Sequence, residues 1–213
     1  MIKDLLILLS IHPEKGWVRK RSSMVHVLLA ACFYDLVLKG YLKLPGGRIA
    51  CSRYPPSDTL LHDLSGKLAR NNGKKFSWVV QKFFMLPGKY YRTQMLQLEQ
   101  KQLISSRRLE WLGITWGKRY RVNKIRGLKP LIAEIERALI YGRQPGLSTR
   151  LLIELFGTLG LLGIFVPDRE LKKTAKRRYK ELSKRAFNED HESHSAIRKE
   201  LRSALRRNKV HPQ

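Results

Sequence analysis

Ser22–Gly40 reads SSMVHVLLAACFYDLVLKG. The paired serines offer an N-cap, Val25 to Leu38 is almost unbroken apolar sequence, and Gly40 supplies a stop signal after Lys39. A helix that is apolar on every side has no face to give to water, so it belongs at the centre of a fold. This stretch predicts a mainly α-helical protein: a compact single-domain bundle over residues 1–213.

Working outward, Ile2 to Leu9 predicts a short buried helix, and Tyr41 to Ala50 a small hairpin around Pro45-Gly46-Gly47. Pro55-Pro56-Ser57-Asp58 introduces a helix to about Arg70, which Asn71-Asn72-Gly73 breaks. Helices are predicted over Phe76 to Phe84 and Tyr91 to Lys101, with Pro87-Gly88 between them. Leu103 to Val122 then reads as a protruding β-hairpin turning near Trp116-Gly117-Lys118. Beyond it, Leu128 to Tyr141 is amphipathic, and Ser148 or Thr149 opens an apolar helix through Leu162. Two basic helices are predicted over about 167–208: Arg169 to Phe187, with Leu171, Ala175, Tyr179, Leu182 and Ala186 at helical spacing, and Ala196 to about Arg207. Asn188 to Ser195 reads as the polar break between them.

The chain has 213 residues and carries 43 Lys+Arg against 17 Asp+Glu, a formal net charge of +26. An excess of this size answers to a polyanion, either nucleic acid or an anionic lipid surface, because each cation near either gains Coulomb energy and releases counterions. The apolar stretch Leu151 to Phe165 contains Glu154 and falls short of the ~20 residues a bilayer-spanning helix needs, so membrane contact is expected to be peripheral. Met1 to Ser10 lacks the features of a signal peptide, and Leu29-Ala30-Ala31-Cys32 reads as core helix and not as a lipidation box. Two cysteines, Cys32 and Cys51, are too few for a disulfide framework and fit a reducing, cytoplasmic setting.

No phosphate loop, dinucleotide fingerprint or nucleophile elbow occurs, so no catalytic residues are expected. His191-Glu192-Ser193-His194 has the wrong spacing for a zinc helix and reads as polar loop; no metal or cofactor is predicted. What the sequence does hold are aromatic and basic groupings. Trp17 stands beside Arg19, Lys20 and Arg21 just before the central helix, and an indole at a bilayer interface with cations reaching phosphates suits a lipid headgroup. Lys89, Tyr90, Tyr91 and Arg92 form a second such group. In the hairpin, Trp111 and Trp116 with Lys118 and Arg119 near the expected tip suit membrane insertion or self-association into a homo-oligomer. The rival reading is a winged helix on nucleic acid, with Leu103 to Val122 as the wing; the preceding predicted helix offers it only Arg92 and Lys101 as cations.

In order along the chain stand Asp4-Leu5-Leu6-Ile7-Leu8-Leu9 with Glu14-Lys15-Gly16-Trp17, then Asp35-Leu36-Val37-Leu38-Lys39-Gly40-Tyr41-Leu42. Pro56-Ser57-Asp58-Thr59-Leu60-Leu61-His62-Asp63 follows, then Lys101-Gln102-Leu103-Ile104, the hairpin to Arg119-Tyr120-Arg121-Val122, and Thr149-Arg150-Leu151-Leu152 through Lys176-Arg177-Arg178. This succession resembles the Golgi phosphoprotein 3 family over nearly the whole chain. The resemblance implies a helical fold with a hairpin, no catalysis, and adaptor function through phosphatidylinositol 4-phosphate in the membrane. It also implies a headgroup pocket built in the eukaryotic members from a Trp before the central helix, an Arg within it, and two Arg before the hairpin. Here those positions fall near Lys20 or Arg21, on Leu29, and near Gly88 and Tyr91, with Trp17, Lys89 and Arg92 close by. The expectation is therefore a divergent, bacterial-type relative that reads anionic headgroups through Trp17, Arg19, Lys20, Arg21, Lys89 and Arg92 more generally than that pocket does.

Overall fold

The computed structural model describes residues 1–111, 114–123, 125–166, 168–184 and 191–210, less the side chains of 111, 114–116, 125, 184, 191–192 and 207–210. Its helices are α1 (Ile2–Ser10), α2 (Arg21–Leu38), α3 (Thr59–Ala69), α4 (Phe76–Met85), α5 (Pro87–Gln100), α6 (Lys129–Tyr141), α7 (Leu147–Leu159), α8 (Arg169–Lys184) and α9 (His191–Val210). Two antiparallel pairs complete the order, β1 (Leu42–Lys43) with β2 (Ala50–Cys51), and β3 (Ile104–Trp111) with β4 (Ile114–Val122). The fold is mainly α, as expected. The chain forms two compact units: Met1–Lys3, Ser22–Gln94 and Ala186–Gln213 make the first, and Asp4–Arg21 with Met95–Arg185 the second.

In the first unit, α2 is the central helix its composition demands, buried at Met24 and from His26 to Val37. By length and composition α2, and not Leu151–Phe165, is apolar enough to cross a bilayer; in this fold 72% of it is buried. Phe33 is the hub, meeting Phe76 edge to face at 5.3 Å and Phe83 and Phe84 at 6.1 and 6.4 Å. α3 adds Leu60, Leu61, Leu64 and Leu68, and α9 adds the apolar side chains of Ile197, Leu201 and Ala204. Asp35 of α2 closes the N-terminus of α1, accepting from the backbone N–H of Ile2 and Lys3 at 2.8 and 3.0 Å. Burial nevertheless pushes the Asp35 carboxyl above its ordinary range, against the pull of those donors. The Lys3 ammonium, fully buried, donates to Gln94 Oε1 at 2.8 Å and pairs with Asp58 at 3.1 Å; Asp58 in turn caps α3 through the Leu61 N–H.

Three boundaries differ from expectation in this unit: α2 begins at Arg21, so Ser22 and Ser23 lie inside its first turn and do not cap it. Pro87-Gly88 opens α5 instead of preceding it, because proline at the first helical position needs no N–H partner. α9 begins at His191, so His191–His194 is helix and not polar loop. Ser193 and His194 are buried there: the Ser193 hydroxyl accepts from the Leu44 N–H at 2.9 Å, and the His194 ring stands edge-on to Tyr34.

In the second unit, α6, α7 and α8 pack on one another. Ile135, Ala138 and Leu139 of α6, Leu151, Leu152, Leu155 and Phe156 of α7, and Ala175 and Leu182 of α8 supply the core. α7 and α8 approach so closely that a Cβ on Gly157 would lie 2.2 Å from Cε2 of Tyr179, which fixes glycine there. Leu171, expected on the apolar side of α8, is 36% exposed, and Ala186 lies outside the described residues. The hairpin also departs from its expected form. β4 begins at Ile114, so Trp116, Gly117 and Lys118 lie within a strand and not at a turn. Gly117 pairs with Leu109, beside a register shift between Leu109 and Glu110; an isolated glycine here marks an irregularity in the ladder and not a chain reversal.

Candidate anionic-ligand surfaces

The Trp17 loop belongs to the second unit and is held by backbone bonds. Ile11 and Val18 form an antiparallel bridge, the His12 N–H donates to the Trp17 carbonyl at 2.9 Å, and the Gly16 N–H donates to the His12 carbonyl at 2.9 Å. The His12 ring accepts at Nδ1 from the N–H groups of Glu14 and Lys15, which ties down the turn. The loop presents its indole outward: Trp17 is 53% exposed, edge-on to His12, with Lys15 Nζ 5.1 Å from its centroid.

The three cations beside Trp17 divide. Arg19 is half-buried; its N–H donates to the Ser10 carbonyl at 3.0 Å and its Nη1 to the Ile11 carbonyl at 3.4 Å, and burial lowers its pKa. It braces the loop. Lys20 and Arg21 are exposed, and Lys20 sits in the left-handed region at φ 52°, a conformation costly to a residue with a Cβ.

Residues that the sequence separates by a hundred positions meet at Gly16. The Tyr120 N–H of β4 donates to the Gly16 carbonyl at 2.6 Å, and a Cβ on Gly16 would lie 2.9 Å from the Tyr120 carbonyl oxygen and 3.1 Å from Arg119 Cβ. Gly16, at φ +69°, is thus the point where the indole loop is seated on the hairpin near its open end. Burial raises the Tyr120 phenol, while the charge of Arg21 pulls it back down.

On the hairpin, Arg107 faces Arg119 and Arg108 faces Lys118 across the strands. All four side chains are exposed, and like charges directly opposite destabilise a ladder. Among the described residues no carboxylate pairs with any of them. Arg107 and Arg108 were not singled out in the sequence, since only the register reveals that they double the charge of Lys118 and Arg119. The side chains of Trp111 and Trp116 lie outside the described residues.

Lys89 and Arg92 belong to the first unit, exposed on the opening turns of α5. Their aromatic neighbours do not join them: Tyr90 and Tyr91 are 6% and 4% exposed, and Tyr90 packs on Phe83 with Lys67 Nζ 5.3 Å from its ring. The described residues contain no cluster of three or more His, Cys, Asp or Glu able to hold a metal. A search of curated proteins finds none that matches the chain. The family model for Golgi phosphoprotein 3 (GPP34) matches residues 2–205.

Proposed function

The chain belongs to the Golgi phosphoprotein 3 family, and on that premise we propose that it is a non-enzymatic peripheral adaptor that docks on anionic phospholipid headgroups at the cytoplasmic face of a membrane. The observation that carries this reading is the seating of an exposed indole, Trp17, against a hairpin whose cations face one another in like-charged pairs. A phosphate layer relieves that repulsion, and each Lys or Arg near an acidic surface contributes ~1 kcal/mol. Lys20, Arg21, Arg107, Arg108, Lys118 and Arg119 together supply several times that, and the indole adds an interfacial anchor.

Selectivity for phosphatidylinositol 4-phosphate is expected to be weaker than the family resemblance implies. Leu29, where an intrahelical Arg would stand, is fully buried, and Tyr91 is 4% exposed; both are core here. General attraction to acidic headgroups remains.

The test is cosedimentation with vesicles rich in acidic phospholipid at low salt, comparing wild type, Trp17→Ala and the pair Lys20→Ala with Arg21→Ala. Wild type should bind and both variants weaken; a wild-type protein that stays in the supernatant ends the proposal. The basic strands also favour a second reading, a wing on nucleic acid or a self-associating hairpin. A duplex-DNA gel shift that depends on Lys118 and Arg119, without vesicle binding, would support the wing instead. Sedimentation velocity reads self-association.

A further inference from the structure

Resting on that reading, we propose that the outer face of α4 and its junction with α5, formed by Trp78, Lys82, Met85 and Leu86 in the first unit, is a wedge that enters the acyl region of an anionic bilayer.

Single exposed apolar side chains are ordinary, but these lie together. Trp78 is 54% exposed, Met85 79% and Leu86 73%, and the spacing from 78 to 82 to 85 places the first three residues on one side of the helix. The opposite side, Phe76, Val79, Val80, Phe83 and Phe84, already fills the core, so Trp78 and Met85 are apolar side chains on the side of α4 that the core does not cover. Two ammonium groups stand over the Trp78 ring, Lys74 Nζ at 5.3 Å and Lys82 Nζ at 4.7 Å from its centroid. An indole at the interface with ammonium groups at phosphate depth is the arrangement a peripheral helix uses on acidic lipid.

Charge selects the occupant. Between Asp63 and Glu99 the sequence contains no acidic residue, while Lys74, Lys75, Lys82, Lys89 and Arg92 surround the wedge in sequence. A second copy docked by the same face would bring this run of cations against itself, and the run holds no carboxylate to answer. Nucleic acid would satisfy the cations but offers nothing to the aliphatic pair Met85 and Leu86. Anionic lipid satisfies both, and gives Lys89 and Arg92 a role as the wedge's rim.

The experiment labels Met85→Cys, in a Cys51→Ser background, with an environment-sensitive fluorophore and adds phosphatidylserine-containing vesicles whose acyl chains carry a quencher. Cys32 is buried and stays unlabelled. The label should shift to shorter wavelength and be quenched by the acyl-chain probe, and Met85→Asp with Leu86→Asp should weaken binding about tenfold or more. Because both side chains are exposed, that double variant should keep its urea midpoint. If wild type sediments with the vesicles while the label stays in water and the double variant binds equally well, the wedge is wrong and headgroup docking stands. If wild type does not bind acidic vesicles at all, docking and wedge fall together. A double variant that loses self-association or duplex-DNA binding while keeping its vesicle affinity also overturns the wedge.

Discussion

Gly16→Ala tests the seat on which the proposed headgroup site depends. Alanine at φ +69° carries a left-handed penalty of ~1 kcal/mol. Its Cβ would lie 2.9 Å from the Tyr120 carbonyl oxygen, a backbone atom that cannot rotate away, so the loop must lift. Lifting lengthens the 2.6 Å bond from the Tyr120 N–H to the Gly16 carbonyl, at a further cost of ~1 kcal/mol. The sum is about 2 kcal/mol if the seat forms as part of the cooperative fold. Urea unfolding followed by far-UV circular dichroism should show a lower midpoint with an unchanged slope, and vesicle affinity should fall because the Trp17 loop is no longer seated on the hairpin. A variant that unfolds within ~0.5 kcal/mol of wild type and binds vesicles equally well would refute the idea that loop and hairpin act as one site.

Lys20→Gly relieves a positive φ and should raise stability by about 0.5–1 kcal/mol while weakening vesicle binding, a combination that a purely structural lysine would not give; thermal melts and cosedimentation read the two effects. Gly157→Ala, by contrast, forces Tyr179 out of the α7–α8 contact and should cost about 3 kcal/mol or more in urea, or prevent folding. Burial raises the Cys51 thiol from 9.0 to about 11, so the folded chain holds that proton more tightly than the unfolded one. The associated stability is intact below pH 9 and lost as pH climbs towards 11, at most about 2 kcal/mol after screening by solvent; Cys51→Ser should flatten the melting temperature over that window relative to wild type, and equal slopes would contradict this.

Long apolar segments were legible because burial leaves them little choice. The existence of α2 and α3 follows from local pattern alone, as does the start of α3 after Pro55-Pro56-Ser57-Asp58, where Asp58 is the cap; the serines expected to cap α2 lie within it. The errors lie where a local signal has two meanings. Pro87 can end a helix or open one, and only the backbone around Leu86, at φ −127°, decides that α4 stops before α5 starts. Gly117 resembles a turn residue, yet its cross-strand partner Leu109 makes it part of a ladder. The polar run ahead of Ala196 is helical because distant residues, Leu44 and Tyr34, receive Ser193 and His194.

Of the candidate site, the sequence identified the residue types but not their associations. Trp17, Lys20 and Arg21 are exposed as expected, whereas Arg19 spends its donors on the backbone of its own loop. The cross-strand pairing of Arg107 with Arg119, and the seating of Gly16 on Tyr120, depend on register and on contacts about a hundred residues apart, which periodicity does not encode. Trp78 and Met85 were not singled out in the sequence, since only their exposure separates them from Phe83 and Phe84.

The most direct measurement compares binding to acidic and to purely zwitterionic vesicles at one low ionic strength, for wild type and for Lys118→Glu with Arg119→Glu. Docking on headgroup charge predicts strong binding to the acidic vesicles, little to the zwitterionic ones, and a marked loss in the charge-reversed protein. Equal partition onto both surfaces, or an unaffected charge-reversed protein, would contradict it.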